Sequence, residues 1–213
     1  MKESNLHILN HPIIQYKLGR LRERTTKTAE FRHIFHQLAH LVAFEAFRHL
    51  EINTKEITTS TGLNTSGDVI ESPIIISIMR AGNEMLDGVL SLLPDSSAGH
   101  IGIYRDRSTQ NTVEYYLRLP KVVKGKAIFL LDPNLATGNT MLASIDRLNQ
   151  FGVGKITVLC FLVSQEGVNK VHFYYPEIKI FAAAIEPSIN EQGFLIPGLG
   201  DVSNRLYGIT NKI

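Results

Sequence analysis

Short apolar runs alternate with amphipathic segments along most of the chain after residue 72. The runs at residues 73–79, 127–131 and 156–163 are typical of strands buried in the centre of a parallel sheet. Further strands are predicted at 100–104 and 178–185, and helices at 84–93, 137–150 and 164–174. Strands that alternate with helices in this way predict an α/β fold, in which a parallel sheet carries helices on both faces.

Residues 1–50 predict an N-terminal helical arm in front of that sheet. Pro12 suits the first turn of a helix at 13–23. Thr28 can cap a second helix, with Glu30 in its first turn. Apolar residues then recur at helical spacing through Phe31, Ile34, Phe35, Leu38, Leu41, Val42 and Ala46. We therefore expect two consecutive helices after a short lead-in at residues 1–10.

Three further segments lack a clear helical or buried-strand pattern. Residues 52–72 are polar and rich in turn residues, which fits a short hairpin or a cover for a sheet edge. Residues 112–118 alternate well enough for a hairpin arm but offer no obvious core face, so this arm is expected to be mobile. Residues 189–213 are rich in glycine and are predicted to be irregular.

Composition places the chain among ordinary soluble proteins. It has 213 residues, of which 44% are hydrophobic and 20% are charged, and this length suits a single domain. A net charge of +2 is too small for a general nucleic-acid binder, and no stretch approaches the ~20 apolar residues that span a membrane. Cys160 is the only cysteine, so no internal disulfide can form and a reducing cytoplasm fits. Its apolar surroundings predict a buried, inert thiol.

Three histidines, His33, His36 and His40, fall on the polar side of the second helix. Imidazoles on one helix face can share a metal ion. However, no Cys, Asp or Glu completes a ligand set on that stripe. A solvated helix face is therefore the favoured interpretation.

The most informative stretch is 127–141, which predicts a buried strand, a sharp turn and the start of a helix. Asp132 stands where the strand ends, and Pro133 prevents its continuation. The start of a helix offers unpaired N–H groups, Gly138 allows close approach to an anion, and nearby threonine hydroxyls can add hydrogen bonds. The stretch contains no Walker-type motif and no lysine. It predicts a phosphate cradle beside a carboxylate; an ordinary turn with helix-capping threonines is the alternative.

Two other predicted strands end in arginines, Arg80 and Arg105. The carboxyl ends of parallel strands share one rim of the sheet, so these arginines and Asp132 are expected to converge. A guanidinium binds phosphate with two parallel hydrogen bonds. Each arginine alone would be an ordinary surface charge. Together with the cradle they favour a site for a phosphorylated sugar.

Five motifs in order give the chain a specific resemblance. The stretch LLDPNLATGNT at 130–140 resembles the phosphoribosyl-diphosphate motif of the type I phosphoribosyltransferases. Its form D-P-x-L-A-T-G, together with IMRAG, GHIGIYRD, EYYLRLP and GFLIPGLGD, is similar to the uracil phosphoribosyltransferases. The likeness runs from about residue 5 to the C-terminus, and it implies a single phosphoribosyltransferase domain over residues 1–213.

The resemblance implies a reaction in which N1 of uracil displaces diphosphate from 5-phosphoribosyl 1-diphosphate (PRPP), giving UMP in pyrimidine salvage. It implies that Asp132, Arg105 and Asp201 are catalytic. The residues implied to bind PRPP are Arg80, Arg105, Asp132, Pro133, Asn134, Leu135, Ala136, Thr137, Gly138, Asn139, Thr140 and Asp201. Those implied to contact uracil are Leu195, Gly200, Asp201 and Val202, on a C-terminal segment at 186–213. A flexible hood at 105–120 is implied to exclude water.

The resemblance also has implications for ligands and assembly. Mg²⁺ is expected as a cofactor held mainly through substrate and water, with no dedicated metal site on the protein. Members of the family generally self-associate, so a cytoplasmic homodimer or higher oligomer is expected, with the N-terminal helices as interface material. GTP activates some members and is a possible effector.

Several positions depart from the family pattern. Leu131 stands where the wider type I motif has a second acid, as expected for the uracil enzymes. Asn134, Asn139 and Thr140 replace Met, Gly and Ser, and Asn83-Glu84 replaces Leu-Gly. Residues 185–190 differ, and Val202-Ser203-Asn204-Arg205 replaces Ala-Gly-Asp-Arg. Because most changes lie at the base end, two alternatives stay open: transfer to another base, and a regulatory protein that keeps the sugar-diphosphate site without turnover.

Overall fold

A computed structural model describes residues 5–105 and 112–209 of the chain, without the side chain of Arg105. The helices are α1 (Pro12–Arg22), α2 (Thr28–Ala46), α3 (Gly82–Leu90), α4 (Asn139–Gln150), α5 (Gln165–Tyr174) and α6 (Val202–Tyr207), with a 3-10 turn at Phe47–His49. The strands are β1 (Leu6–Ile8), β2 (Ile52–Thr59), β3 (Gly62–Val69), β4 (Ile74–Met79), β5 (Ala98–Arg105), β6 (Thr112–Arg118), β7 (Ile128–Leu131), β8 (Asn134–Leu135), β9 (Ile156–Ser164), β10 (Lys179–Glu186), β11 (Ser188–Ile189) and β12 (Leu195–Ile196).

The main sheet has the order β1-β10-β9-β7-β4-β5-β6, and β8 pairs with β9. Every pairing is parallel except that of β5 with β6. From β4 the chain proceeds outward through β5, and from β7 it proceeds outward in the opposite direction through β9 and β10. The strand order therefore reverses between β4 and β7. Ligands of open α/β sheets bind in the crevice at such a reversal.

Helices cover both faces of the sheet, as the alternation of elements predicts. On one face α1, α2 and α3 pack against the sheet through Phe31, Phe35 and their neighbours. On the other face Met141 and Ile145 of α4 and Val168 of α5 are buried against it. β4, β7 and β9 lie between these layers and are almost fully buried, which explains their unbroken apolar sequence. The predicted α/β fold is thus confirmed.

Four local features differ from the sequence-based expectations or refine them. The lead-in contains a short strand, β1, which pairs with β10, and the C-terminal segment contains α6. Thr28 is the first residue of α2, and no side chain caps that helix. Residues 52–72 form a hairpin of β2 and β3 in a sheet of its own, so the hairpin alternative is correct.

The structure also bears on the predictions about membrane spans and about Cys160. None of the helices among them is long and apolar enough to cross a membrane. Cys160 is a free, buried cysteine of β9, and burial together with the nearby charge of Asp132 raises its thiol pKa well above the ordinary value. The prediction of a buried thiol is confirmed, and the raised pKa is opposite to the lowered pKa that a reactive cysteine needs.

Candidate active site

Three neighbouring strands carry the predicted polar groups to one rim of the sheet. β7, β4 and β5 lie side by side, and their carboxyl ends lead to Asp132, Arg80 and Arg105 respectively. A pocket of about 220 Å³ opens at this rim. Its lining includes the predicted site residues Arg80, Asp132, Pro133, Asn134, Thr140, Gly200, Asp201 and Val202. Residues far apart in the sequence therefore meet at the reversal point between β4 and β7.

Asp132 lies at the β7 side of this rim. It follows β7 directly, and its Oδ1 accepts a hydrogen bond from the backbone N–H of Asn134 at 3.2 Å. Burial raises the pKa of Asp132 to about 7, although the Asn134 hydrogen bond works in the opposite direction. A cation brought beside such a partly buried carboxyl group would stabilise its charged form and lower its pKa.

The predicted phosphate cradle begins two residues later. Asn134 and Leu135 form β8, so the turn is shorter than the predicted span of 134–138. Leu135 is 2% exposed and packs in the core, whereas Ala136 accepts a hydrogen bond from the Ser164 hydroxyl at 2.6 Å. These two residues support the turn rather than line the pocket.

The N-terminus of α4 supplies the anion-binding part of the cradle. Gly138 precedes the helix with φ of 80°, and no side chain caps the helix. A Cβ on Gly138 would lie 3.1 Å from the carbonyl oxygen of Gly167, so glycine also allows α5 to pack closely. The first N–H groups of α4 have no intrahelical partners, and the dipole is positive at this end. The segment from Thr137 to Thr140 can therefore receive a phosphate group.

A lysine that the sequence analysis did not assign lies at the same helix end. The ammonium group of Lys170, on α5, donates a hydrogen bond to the Asn139 side chain at the start of α4. The sequence carries no local signal for this contact, because the two residues are 31 positions apart. The Lys170 ammonium group thus adds a positive charge beside the cradle, whose own sequence contains no lysine.

Arg80 is exposed at the mouth of the pocket and interacts with the C-terminal helix. Its guanidinium lies 6.0 Å from the ring centroid of Tyr207, whose hydroxyl donates to the Arg80 carbonyl at 3.1 Å. Burial and the neighbouring Glu84 raise the pKa of Tyr207, which favours the protonated, donating hydroxyl. α6 therefore contacts the loop that presents Arg80.

A partly buried polar cluster supports the same loop from inside. The hydroxyl of Ser77 on β4 lies 2.6 Å from Asn83 Oδ1 and 2.9 Å from His100 Nδ1. Ser77 is fully buried. In the sequence Asn83 is only a departure from the family pattern, but in the fold β5 brings His100 beside Ser77 of β4, and Asn83 joins both in one hydrogen-bonded cluster.

The hood is only partly included in the described residues. Residues 106–111 and the Arg105 side chain lie outside them, so the predicted position of that guanidinium is not tested. β6 forms the antiparallel outer strand of the sheet, and most of its residues are exposed. Glu114 on this strand pairs with Arg147 of α4 at 3.0 Å.

The segment that carries the predicted base contacts closes the pocket from the C-terminal side. Gly200 has φ of 69° and is exposed, so its backbone is open. Asp201 Oδ1 accepts from the Asn204 N–H at 2.9 Å and caps α6. Leu195 and Val202 are 5% and 4% exposed and belong to the core. Their burial favours contact with a ligand through the backbone.

The acidic groups fit a metal ion that arrives with a phosphorylated ligand. Among the described residues, no group of three or more His, Cys, Asp or Glu side chains could hold a metal. Asp132 and Asp201 nevertheless line the same pocket. One or two carboxylates, completed by phosphate oxygens and water, are the usual donors for Mg²⁺. His33 and His36 are exposed on α2 and His40 is partly exposed, with hydrogen-bond partners in Gln37 for His33 and Ser91 for His40, as a solvated helix face requires.

The chain is similar to known proteins along nearly its whole length. Residues 8–209 match the family model described as "Uracil phosphoribosyltransferase". A uracil phosphoribosyltransferase of Legionella pneumophila (strain Philadelphia 1) is 40% identical over 215 residues, covering 98% of each chain. That of Polaromonas naphthalenivorans is 39% identical over 207 residues, covering 96% of this chain and 99% of its own.

Solved structures have the same fold. The AQ2163 protein from Aquifex aeolicus superposes with a TM-score of 0.90 at 30% identity, covering 96% of this chain and 99% of that one. Adenine phosphoribosyltransferase from Trypanosoma brucei gives a TM-score of 0.59 at 12% identity, over 90% of this chain and 88% of its own. The second likeness concerns the fold alone.

Proposed function

Because the chain belongs to the uracil phosphoribosyltransferase family, we propose that its strand-end pocket binds PRPP and uracil and joins them. The chain is a pentosyltransferase that forms UMP and diphosphate. The observation that carries this conclusion is the match to the family over residues 8–209, with relatives about 40% identical along nearly the whole chain. We also propose a role for each residue of this pocket.

The 5′-phosphate binds at the start of α4. Backbone N–H groups from Thr137 to Thr140 point to the anion, and the threonine hydroxyls add further donors. The absence of a capping side chain at this helix supports the assignment, because its N–H groups are free to receive a ligand. This contact fixes one end of the sugar phosphate.

Asp132 faces the ribose. Bond cleavage at the anomeric carbon gives that ring the character of an oxocarbenium ion, and a carboxylate aimed at the developing positive charge stabilises the transition state. The position of Asp132 on the pocket wall supports this role. The ribose hydroxyls offer hydrogen bonds to the same carboxylate.

The diphosphate binds between the loops after β4 and β5. Arg80 lines the pocket there, and the chain places Arg105 at the end of the adjacent strand. Charge-assisted hydrogen bonds from arginine strengthen as the leaving group gains negative charge. We include both arginines in the site on this reasoning.

Mg²⁺ is the cofactor that this donor set suits. Asp132 and Asp201 are the side chains that would hold it, directly or through water, together with oxygens of the substrate. When bound, the ion supplies neutralisation of phosphate charge. Asp201 also caps α6, so its position is fixed before any ligand binds.

Uracil binds against the backbone of residues 193–202. Its edge presents an acceptor, a donor and an acceptor in alternation, which fixed N–H and C=O groups can match. Cytosine would place a donor against a donor, which is costly in a desolvated pocket. The open backbone at Gly200 and the buried side chains of Leu195 and Val202 support recognition through the main chain.

A diphosphate-release assay tests the proposal. PRPP, Mg²⁺ and uracil should give UMP and diphosphate, whereas cytosine, adenine and hypoxanthine should not. Asp132→Asn should reduce kcat by roughly a hundredfold or more, the size of effect typical of a removed electrostatic group. Turnover with another base would reassign the substrate, and no turnover with any base would favour the non-catalytic alternative. GTP added to the same assay tests the possible effector.

A further inference from the structure

A buried ion pair lies behind the segment that receives the base. Glu186 is the last residue of β10, and its side chain is 1% exposed; Arg22 is the last residue of α1, and its side chain is 27% exposed. The Arg22 guanidinium contacts both oxygens of the carboxylate, with Nη2 on Oε1 and Nη1 on Oε2 at 3.3 Å. Two elements at opposite ends of the chain are joined here.

The same pair binds both backbone polar groups of Gly198. Its N–H donates to Glu186 Oε2 at 3.0 Å, and its carbonyl accepts from Arg22 Nη1 at 3.0 Å. Gly198 has φ of 63°, and a Cβ there would lie 2.1 Å from the Leu195 carbonyl oxygen. The ion pair therefore holds a turn whose conformation requires glycine.

A second arginine holds the next residue of the segment. Arg205 donates to the Leu199 carbonyl at 3.1 Å, and also to the carbonyls of Leu21 and, at 2.7 Å, Glu23 at the end of α1. Residues 198 and 199 are thus fixed on both sides. Gly200, which follows them, is exposed and would have no neighbour within 4 Å of an added Cβ.

We propose that Arg22 and Glu186 are positioning residues for uracil recognition. They hold Gly198, so that the open backbone beginning at Gly200 faces the pocket in one conformation. This inference rests on the proposed function, in which residues 193–202 receive the base. Neither side chain belongs to the pocket lining, so neither touches the substrate.

Stability alone does not explain why an ion pair occupies this place. Burying two charges carries a large desolvation penalty, and well-packed apolar residues of similar volume often replace such a pair without loss of stability. An apolar pair, however, could neither donate to the Gly198 carbonyl nor accept from its N–H. The distinctive contribution of Arg22 and Glu186 is therefore the orientation of that peptide.

The decisive variant is the double substitution Arg22→Met/Glu186→Leu. It removes both charges together, so no unpaired buried charge is left to unfold the protein. The variant should still fold cooperatively, with thermal unfolding at a somewhat lower temperature because the buried N–H and C=O of Gly198 lose their partners. The KM for uracil should rise about tenfold or more, as expected when backbone hydrogen bonds that orient a binding segment are lost. The KM for PRPP should change less than about threefold, because the cradle and Arg80 lie elsewhere.

Two single variants complete the test. Arg22→Lys keeps the charge but lacks the fork that reaches Glu186 and Gly198 together, so its uracil KM should lie between wild type and the double variant. Arg20→Met is the matched control on the same helix, because Arg20 pairs with Glu23 and Glu30 at the surface with its side chain 36% exposed. This control should leave both KM values unchanged.

The possible failures are distinguishable. If the folded double variant bound uracil with a wild-type KM, the pair would be structural and the inference would be wrong. Equal rises in the two KM values would overturn it as well, since they would indicate a general loosening of the site. If the wild-type protein itself showed no turnover with uracil, the proposed function would fail instead.

Discussion

The position of Asp132 could be predicted from the sequence, but its pKa could not. The strand-end position could be predicted, because an acid followed by proline after an apolar run marks the end of a buried strand. The raised pKa could not, since it comes from burial that other elements create. For such a group the fold favours the neutral acid, so folding becomes less favourable as the pH rises from about 4 to about 7.

The raised pKa predicts the pH dependence of turnover. If the carboxylate is the active form, kcat/KM for PRPP should rise about tenfold per pH unit below neutrality and level off above about pH 7, because kcat/KM reports ionisations of the free enzyme. Steady-state rates between pH 5.5 and 8.5 measure this. In Asp132→Asn the residual kcat/KM should no longer rise with pH. If it rose with pH as in the wild-type protein, the ionising group would be one other than Asp132.

Lys170 leads to a second prediction at this scale. A cation at the positive end of a helix is unfavourable by itself and becomes favourable when an anion lies between them. Lys170→Met should therefore weaken PRPP binding by about five- to tenfold, the worth of one charge-assisted hydrogen bond, with little effect on the KM for uracil. Titration calorimetry with PRPP and Mg²⁺ measures it. Lys121→Met, at an exposed position, is the control, and equal affinities in both variants would remove Lys170 from the site.

Val202 is the departure from the family pattern that lies closest to the predicted base. Val202 is 4% exposed, packs in the core and also borders the pocket, and we expect its side chain to fill space mainly in the core. Val202→Ala should lower the free energy of unfolding by about 1–2 kcal/mol through a small cavity. It should change kcat/KM for uracil less than about threefold. A gain of tenfold or more in that variant would mean that valine obstructs the pocket.

At the scale of elements, the predictions succeed where a pattern is long and fail where the element is short. α2 has 19 residues with regular apolar spacing, and its predicted position agrees with the structure. β1 has three residues and α6 has six, so neither repeats a pattern often enough to recognise. For α6 a signal did exist, because Asp201 and Gly208 are typical residues for the two ends of a helix. The surrounding glycines favoured an irregular segment instead.

The outer strand β6 is the described part of the predicted hood, and its movement can be tested. Its residues are largely exposed, and Glu114 is held by Arg147 of α4. A lid that closes over the sugar phosphate should slow hydrogen exchange of the amides of β6 when PRPP and Mg²⁺ bind. Amides of the β2–β3 hairpin provide the control, because they lie in a separate sheet. Equal exchange in β6 with and without ligand would exclude a role in closure.

For the whole molecule, the topology explains how much of the site could be predicted. Strand ends of a parallel sheet share one rim, so the convergence of Asp132 with the loop of Arg80 followed from the alternation of elements alone. The order of the strands, which puts the reversal between β4 and β7, is not encoded in any local pattern. The contacts of Lys170 with Asn139 and of Arg22 with Gly198 were missed for the same reason, since each joins residues that only the complete fold brings together.

The β2–β3 hairpin bears on the predicted self-association, because its two faces differ. The pairing of Ile52 with Val69 and of Thr58 with Leu63 puts Ile52, Leu63 and Val69 on one face. Ile52 is 65% exposed and Leu63 is 73% exposed. Glu56 is the one charged residue on the same face as Ile52, and the opposite face carries the Lys55–Asp68 ion pair with one apolar residue, Ile57. A two-stranded hairpin alone is marginally stable in water, and exposed apolar strand residues favour pairing with another chain. We therefore expect the apolar face to lie against a second copy.

Light scattering combined with size exclusion tests this expectation. The wild-type protein should have at least twice the chain mass of 23.8 kDa. Ile52→Lys/Leu63→Lys should shift the population towards the monomer, because two lysines on the apolar face would have to be desolvated in the interface. Asn53→Lys/Asn64→Lys adds the same charge to the opposite face of the same hairpin and should leave the mass unchanged. If the two double variants behaved alike, the hairpin's apolar face would not be the contact. A monomeric wild-type protein would instead contradict self-association itself.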